Sequence, residues 1–191
     1  MNVLIIDNGT RHLTELIQLF SGHKIKIVTR EKLTDTNIQS DTLVVLSGAA
    51  PGNPGVLYSD GIYNTELELI KNHRGPIVGI CLGMELIAHA YDMHLHRQKR
   101  RIHRLVGARR SPEPEAAFLP ETFKVFVAHR YSVQHHNGSM RALAYSRSAI
   151  EIIQHTTKPI IGLQFHPEVL HGKNNGKEIF FLVLKQIAPN F

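Results

Sequence analysis

The chain has 191 residues, of which 42% are hydrophobic and 20% charged, and its formal net charge is +6 at neutral pH. That length and composition suit one globular domain with a sizeable core. No apolar run approaches the roughly 18 residues of a membrane span, and the single cysteine permits no internal disulfide. A cytoplasmic protein with no membrane partner is therefore expected.

Met1–Asp7 enters a strand at once and lacks the basic start and cleavage site of a signal peptide. The apolar run 3–7 ends in the turn signal Asp7-Asn8-Gly9. Thr10 is expected to cap a helix with the stripe Leu13, Leu16, Ile17 and Phe20, stopped at Gly22. Residues 24–29 alternate Ile25 and Ile27 with Lys24 and Lys26, as a strand near a sheet edge does. A short helix is expected over 33–38 and an apolar strand over 42–46. The long loop Ser47-Gly48-Ala49-Ala50-Pro51-Gly52-Asn53-Pro54-Gly55 follows. Residues 63–73 read as a helix with Leu67 and Ile70 inward, 77–80 as a buried strand, and 82–91 as an amphipathic helix.

From about residue 94 the rhythm changes. A basic loop over 94–110 carries much of the charge excess, and 111–115 is a second loop. Residues 124–128, 141–145, 149–155 and 160–165 read as strands with little helix between them, and 176–187 close the chain as an amphipathic helix. The expectation is one domain, 1–191, of the α/β class. Its core is a doubly wound, mostly parallel sheet with helices on both faces, to which a small mixed or antiparallel patch is appended. Ligands of such sheets gather at the carboxyl ends of the strands, where Asp7, Ser47-Gly48 and Cys81 fall.

Cys81 stands where strand passes into helix, inside Gly79-Ile80-Cys81-Leu82-Gly83. A glycine on each side permits a turn so tight that the nucleophile is pushed out above the sheet edge. The following helix points its positive end at the sulfur, which favours thiolate. In an extended segment His166 and Glu168 share a face, with Pro167 stiffening the backbone between them. A carboxylate so placed orients the imidazole, and the other ring nitrogen can take a proton from a thiol. The candidate triad is Cys81, His166 and Glu168. Candidate oxyanion donors are the backbone N–H of Leu82 and that of Ala49, or of Gly48 if the loop is shifted by one. The pairs His94/His96 and His135/His136 lack a companion cysteine or carboxylate at metal-ligand spacing. No metal and no cofactor are expected. The basic segment has no interleaved aromatic residues, so nucleic acid is not an expected partner.

Together, the segment Gly79 to Ile87, Ser47-Gly48-Ala49-Ala50-Pro51 and Gln164-Phe165-His166-Pro167-Glu168 resemble the class I (triad) glutamine amidotransferase family, with its flavodoxin-like core. The similarity runs from the first strand to the last helix. Within the family, Asp7-Asn8-Gly9 and His166-Pro167-Glu168-Val169-Leu170-His171 are similar to the glutaminase part of GMP synthetase. The resemblance implies hydrolysis of the side-chain amide of L-glutamine through a thioester at Cys81. Ammonia would pass to an ATP-dependent synthetase subunit, docked near the basic segment 94–110. Implied substrate contacts are Gly83, Glu85, His129, Arg130 and Tyr131.

Three positions depart from the family pattern. Ala49 replaces the second glycine of the oxyanion loop, and Glu85 replaces a glutamine that helps hold the substrate. Ala128-His129-Arg130-Tyr131 keeps only the histidine of a Ser-His-x-Asp segment. A carboxylate at Glu85 would repel a substrate carboxylate nearby but could hold the ammonium of the substrate. Two other readings stay open: a free-standing γ-glutamyl hydrolase using the same triad, and a non-catalytic binding module on this fold.

Overall fold

The computed structural model describes residues 2–58, 60–135 and 137–189, so Met1 and the His136 half of the His135/His136 pair lie outside the described residues. In chain order the elements are β1 (Asn2–Asp7), α1 (Leu13–Leu19), β2 (Lys24–Thr29), β3 (Leu43–Leu46), α2 (Asn64–Asn72), β4 (Ile77–Ile80), α3 (Leu82–Ala90) and β5 (Leu95–Arg110). After them come β6 (Thr122–Val133), β7 (Met140–Tyr145), β8 (Ile150–His155), β9 (Ile160–Leu163) and α4 (Gly176–Ile187).

The nine strands form one sheet in the order β2-β1-β3-β4-β9-β8-β7-β5-β6. The first five in that order run parallel, and every pairing from β9 to β6 is antiparallel. Alternation along the buried strands builds two apolar layers. Val3, Ile5, Leu43, Val45 and Val78 pack with Leu16 and Phe20 of the α1 region and with Phe180 and Val183 of α4. Leu4, Ile6, Val44, Leu46 and Ile77 pack with Ile70 of α2 and with Met84, Leu86 and Ile87 of α3. Phe20 and Phe180 meet edge to face at 5.6 Å, which seats α4 against α1. Burying side chains of this size stabilises by about 1.5–3 kcal/mol each.

Four expectations are corrected. The mostly parallel sheet with a small appended patch is instead a single mixed sheet, because β8, β7, β5 and β6 extend it by backbone pairing from β9. The basic loop over 94–110 is the 16-residue strand β5. It pairs along β6, whose buried Phe123, Val125 and Val127 supply the apolar face that β5 itself hardly shows. No helix forms over 33–38. A 3-10 turn ends at Lys32, and Thr36 Oγ1 donates to the Lys32 carbonyl at 3.0 Å. Such side-chain bonds compete with helix formation. Thr10 is not a helix cap. Its Oγ1 accepts from the His12 N–H at 3.2 Å, and α1 begins after His12 without a side-chain cap.

Two carboxyl groups unrelated to that framework are fully buried. Burial pushes Glu66 and Glu151 up to about 7, against side-chain contacts with Asn8 and Ser146 that pull them down. An unfolded chain ionises a glutamate near 4.5. The folded state therefore binds the extra proton between these values, and stability is lost as pH rises from about 4.5 to about 7. Replacing Glu151 by Gln is expected to change stability little at pH 5 and to raise it by about 1–3 kcal/mol at pH 8. Urea denaturation at the two pH values checks this, and an equal effect at both would contradict it.

Candidate active site

β4 is buried along its whole length and delivers Cys81 to the carboxyl edge of the sheet. The Cys81 N–H donates to the Leu163 carbonyl at 2.7 Å, and the Cys81 carbonyl accepts the Glu85 N–H at 3.0 Å, opening α3. Cys81 itself has φ +51° and ψ −101°, a conformation that costs an L-residue of order 1–3 kcal/mol. Close approach explains the two flanking glycines. A Cβ on Gly79 would lie 2.4 Å from the Gly83 carbonyl, and one on Gly83 would lie 2.3 Å from the Leu46 carbonyl oxygen.

Because β9 is the neighbour of β4, the segment leaving β9 reaches the same edge. The His166 N–H donates to the Phe126 carbonyl at 2.9 Å, and Nδ1 lies 2.8 Å from Oε1 of Glu168. A carboxylate only accepts, so Nδ1 carries the proton of that bond. Nε2 is buried with no other hydrogen bond among the described residues. Burial disfavours the charged ring, but Glu168 and the Cys81 sulfur outweigh it, and His166 is pushed well above its ordinary value. Gly48, at the end of β3, abuts both groups: a Cβ there would lie 3.0 Å from Cε1 of His166 and 3.5 Å from Cβ of Cys81.

The Gly48–Ala49 stretch is held from behind. Ser47 Oγ accepts from the Asn8 N–H at 2.9 Å and donates to the Gly48 carbonyl at 2.8 Å, while the Ala50 N–H donates to the Gly9 carbonyl at 2.9 Å. Ala49 is not at positive φ, so alanine in place of glycine carries no left-handed strain.

Cys81 opens into a cavity of about 390 Å³ whose lining includes Ala49, Leu82, Glu85, His129, Arg130 and Tyr131. Gly83 is the exception among the expected substrate contacts. It faces the β3 backbone and lies outside the lining. Glu85, expected as a carboxylate that could hold the substrate's ammonium, is among the lining residues, and burial pushes it up to about 8, against the pull of Gln164 and His166. Burial also lowers His129, to about 4, with Arg101 and His166 adding to the effect and the Tyr131 carbonyl opposing it. That carbonyl lies 2.6 Å from Nδ1, which places the proton there and leaves Nε2 as an acceptor.

Sequence reasoning missed Arg97 and Arg101, which also line the cavity. Their register is irregular: β5 slips against β6 between Arg97 and Ile102. Within that slip Arg101 Nη2 donates to the Ala128 carbonyl at 3.4 Å. The Cys81 thiol contacts the same oxygen at 3.9 Å. The two arginines sit in a run of seven basic or histidine residues among nine, where nothing in the sequence marks two of them out. A smaller cavity of about 230 Å³, beyond Arg101 and Ala128, is lined in part by His12, His103 and His166.

The sequence matches the model of the family "Glutamine amidotransferase class-I" over residues 4–187. A subunit of the glutamine-hydrolyzing GMP synthase of Pyrococcus abyssi is 29% identical over 182 residues, covering 93% of this chain and 94% of its own. The protein of the same name from Methanococcus maripaludis is 29% identical over 178 residues, with 88% of each chain covered. Against the longer glutamine-hydrolyzing GMP synthase of Borreliella burgdorferi, 28% identity extends over 64% of this chain and 24% of that protein. A crystal structure from Thermoplasma acidophilum, provisionally described as a GMP synthase subunit, superposes with a TM-score of 0.83 at 24% identity, covering 100% of this chain and 95% of that one. That likeness shows the fold. With a family match that extends from β1 to the end of α4, the chain belongs to the class I glutamine amidotransferase family.

Proposed function

We propose that the chain is the glutaminase subunit of a GMP synthetase, releasing ammonia from L-glutamine through a covalent intermediate at Cys81. The observation that carries this reading is the buried His166–Glu168 pair, at 2.8 Å, set beside a cysteine held at positive φ. Relatives named as GMP synthase subunits, matched nearly end to end, support the assignment to that synthetase.

The Cys81 sulfur attacks the amide carbon of glutamine, and the carbonyl oxygen becomes an oxyanion. The N–H of Leu82, freed at the start of α3, and that of Ala49 or Gly48 receive this charge. His166 then gives a proton to the departing nitrogen, ammonia leaves, and a thioester remains. Water attacks the thioester with His166 as base, and glutamate is released. Glu168 keeps the proton on Nδ1 and stabilises the imidazolium. None of these steps calls on a metal or a cofactor.

The ammonia passes to an ATP-dependent synthetase subunit in the cytoplasm. Lys99, Arg100 and Arg104 of β5 are exposed beside the cavity and form the docking surface. Glutamate release by the purified chain, alone and with the ATP-using subunit of a GMP synthetase, tests the reading. Turnover should rise when the partner is added. Steady hydrolysis of other γ-glutamyl compounds without preference for glutamine, unaffected by the partner, would favour a free-standing hydrolase instead.

Replacing His166 by Ala removes the proton carrier and is expected to lower kcat by about 10⁴-fold or more. Replacing Glu168 by Gln disturbs only orientation and charge, and a smaller loss, of about 10²–10³-fold, is expected. Single-turnover rates of thioester formation distinguish the two. Equal losses would contradict the division of roles.

A further inference from the structure

β3 lies between β1 and β4 in the sheet, so the stretch leaving it has the Asp7-Asn8-Gly9 turn on one side and Cys81 on the other. Four consecutive peptide N–H groups in that stretch fall into two pairs. The Ser47 N–H donates to the Ile6 carbonyl at 3.1 Å and the Ala50 N–H to the Gly9 carbonyl at 2.9 Å, both on the β1 side. The two between them, on Gly48 and Ala49, have no acceptor among the described residues. Ser47 is fully buried, and its hydroxyl has one proton to place. The Asn8 N–H already donates to that oxygen at 2.9 Å, so the proton goes to the Gly48 carbonyl, 2.8 Å away.

A trans peptide is planar, with its C=O and N–H pointing opposite ways. Drawing the Gly48 carbonyl toward the β1 side therefore turns the Ala49 N–H toward the β4 side, where the sulfur stands. The preceding peptide is held less firmly, by the Asn8 side-chain amide on the Ser47 carbonyl at 3.4 Å. Reversing the Gly48–Ala49 peptide would swing φ of Ala49 through about half a turn, out of its present negative range into positive values that an L-residue avoids and glycine accepts. On the glutaminase reading, charge collects on the amide oxygen as the sulfur attacks, and a donor helps only where it points at that oxygen. Resting on that reading, we propose that Ser47 is a positioning residue of this site. Its hydroxyl, directed by the Asn8 N–H, holds the peptide so that the Ala49 N–H receives the oxyanion, and the Ala49 side chain bars the reversed peptide. The hydroxyl touches no reacting atom and acts through the backbone alone.

Two reactions of Cys81 separate this role from general damage. Glutamine hydrolysis builds an oxyanion. Alkylation by iodoacetamide does not, since the sulfur bonds to the methylene carbon and iodide leaves. Losing one oxyanion donor costs about 10²–10³-fold in rate, and misdirecting it should cost tenfold or more. With the ATP-using synthetase subunit present, Ser47→Ala should therefore lower kcat for glutamate release at least tenfold. KM and the iodoacetamide rate of Cys81 should both stay within threefold of the wild type. A smaller loss of kcat, a larger change in KM, or alkylation slowed in step with kcat overturns the proposal. Ser47→Thr and Ser47→Val branch alike at Cβ and differ in the hydroxyl, so packing cancels between them if the alanine variant is poorly folded. The threonine variant should turn over at least tenfold faster than the valine variant, and a smaller ratio overturns the proposal. Adding Ala49→Gly to Ser47→Ala should lower kcat threefold or more again, and a smaller further fall would contradict the role given to Ala49. Failure of the glutaminase reading shows separately, as wild-type protein that releases no glutamate with its partner while iodoacetamide still modifies Cys81.

Discussion

Cys81→Ala is expected to abolish amide hydrolysis, with a loss of about 10⁴–10⁶-fold, while the protein stays folded. The magnitude follows from removing the only group able to form the covalent intermediate: what remains of the site can still bind and polarise the amide, which is worth a small residue of rate over water. The fold should persist because the backbone at residue 81 is held by neighbours rather than by the sulfur. Its N–H is bonded to Leu163, its carbonyl to Glu85, and it sits between two glycines packed against carbonyl groups. Circular dichroism should superpose on the wild type, and glutamate release should fall to background. Hydrolysis by the variant at more than a few per cent of the wild-type rate would remove Cys81 from the reaction and with it the proposed route.

Gly83→Ala is expected to be the most damaging single methyl in the site. Its Cβ would lie 2.3 Å from the Leu46 carbonyl oxygen and 2.8 Å from Leu46 Cβ, so β3 and α3 must part. Overpacking against backbone, which has no rotamer to escape into, should cost about 2–4 kcal/mol. The displacement is transmitted directly to chemistry, since Leu46 is followed by the Gly48–Ala49 stretch that abuts Cys81 and His166. Moving reacting groups by about 1 Å costs roughly 10²-fold in rate. Gly107→Ala, at a position where an added Cβ meets nothing within 4 Å, is the control and should lie within about 0.5 kcal/mol of the wild type. Denaturation midpoints and kcat for the two variants check this. Equal stability of the pair would show that β3 and α3 are less tightly apposed at this point.

Three parts of the site were legible in the residues themselves. Gly79-Ile80-Cys81-Leu82-Gly83 announces a tight strand-to-helix turn, since its chemistry is local: two absent side chains and one reactive one within five positions. His166 and Glu168 are two residues apart, and a turn closed by the Val169 N–H on the His166 carbonyl at 3.2 Å, rather than the extended backbone expected, brings them to 2.8 Å. The four-residue apolar runs of β3 and β4 mark buried parallel strands, which set Gly48 and Cys81 at the same sheet edge.

What the residues could not tell is how far-apart segments share space. β6 is the last strand in the sheet order, yet its Phe126 and Ala128 carbonyls meet His166 and Cys81, because the antiparallel half of the sheet curls back over the parallel edge. That curl depends on non-local strand pairing, which leaves no periodic trace in β5, where basic residues occupy nearly every position around the slip. The same closure decides charge. It buries Glu85, which pushes the carboxyl up to about 8, and it turns Arg97 and Arg101 from members of a solvated basic run into the wall of the cavity. The sequence by itself marked out the candidate triad, because the turn at Cys81 and the His166–Glu168 pair are each patterns within a few positions of the chain. Only the tertiary structure decided what surrounds the substrate, because burial and field belong to the folded surface and not to any one segment.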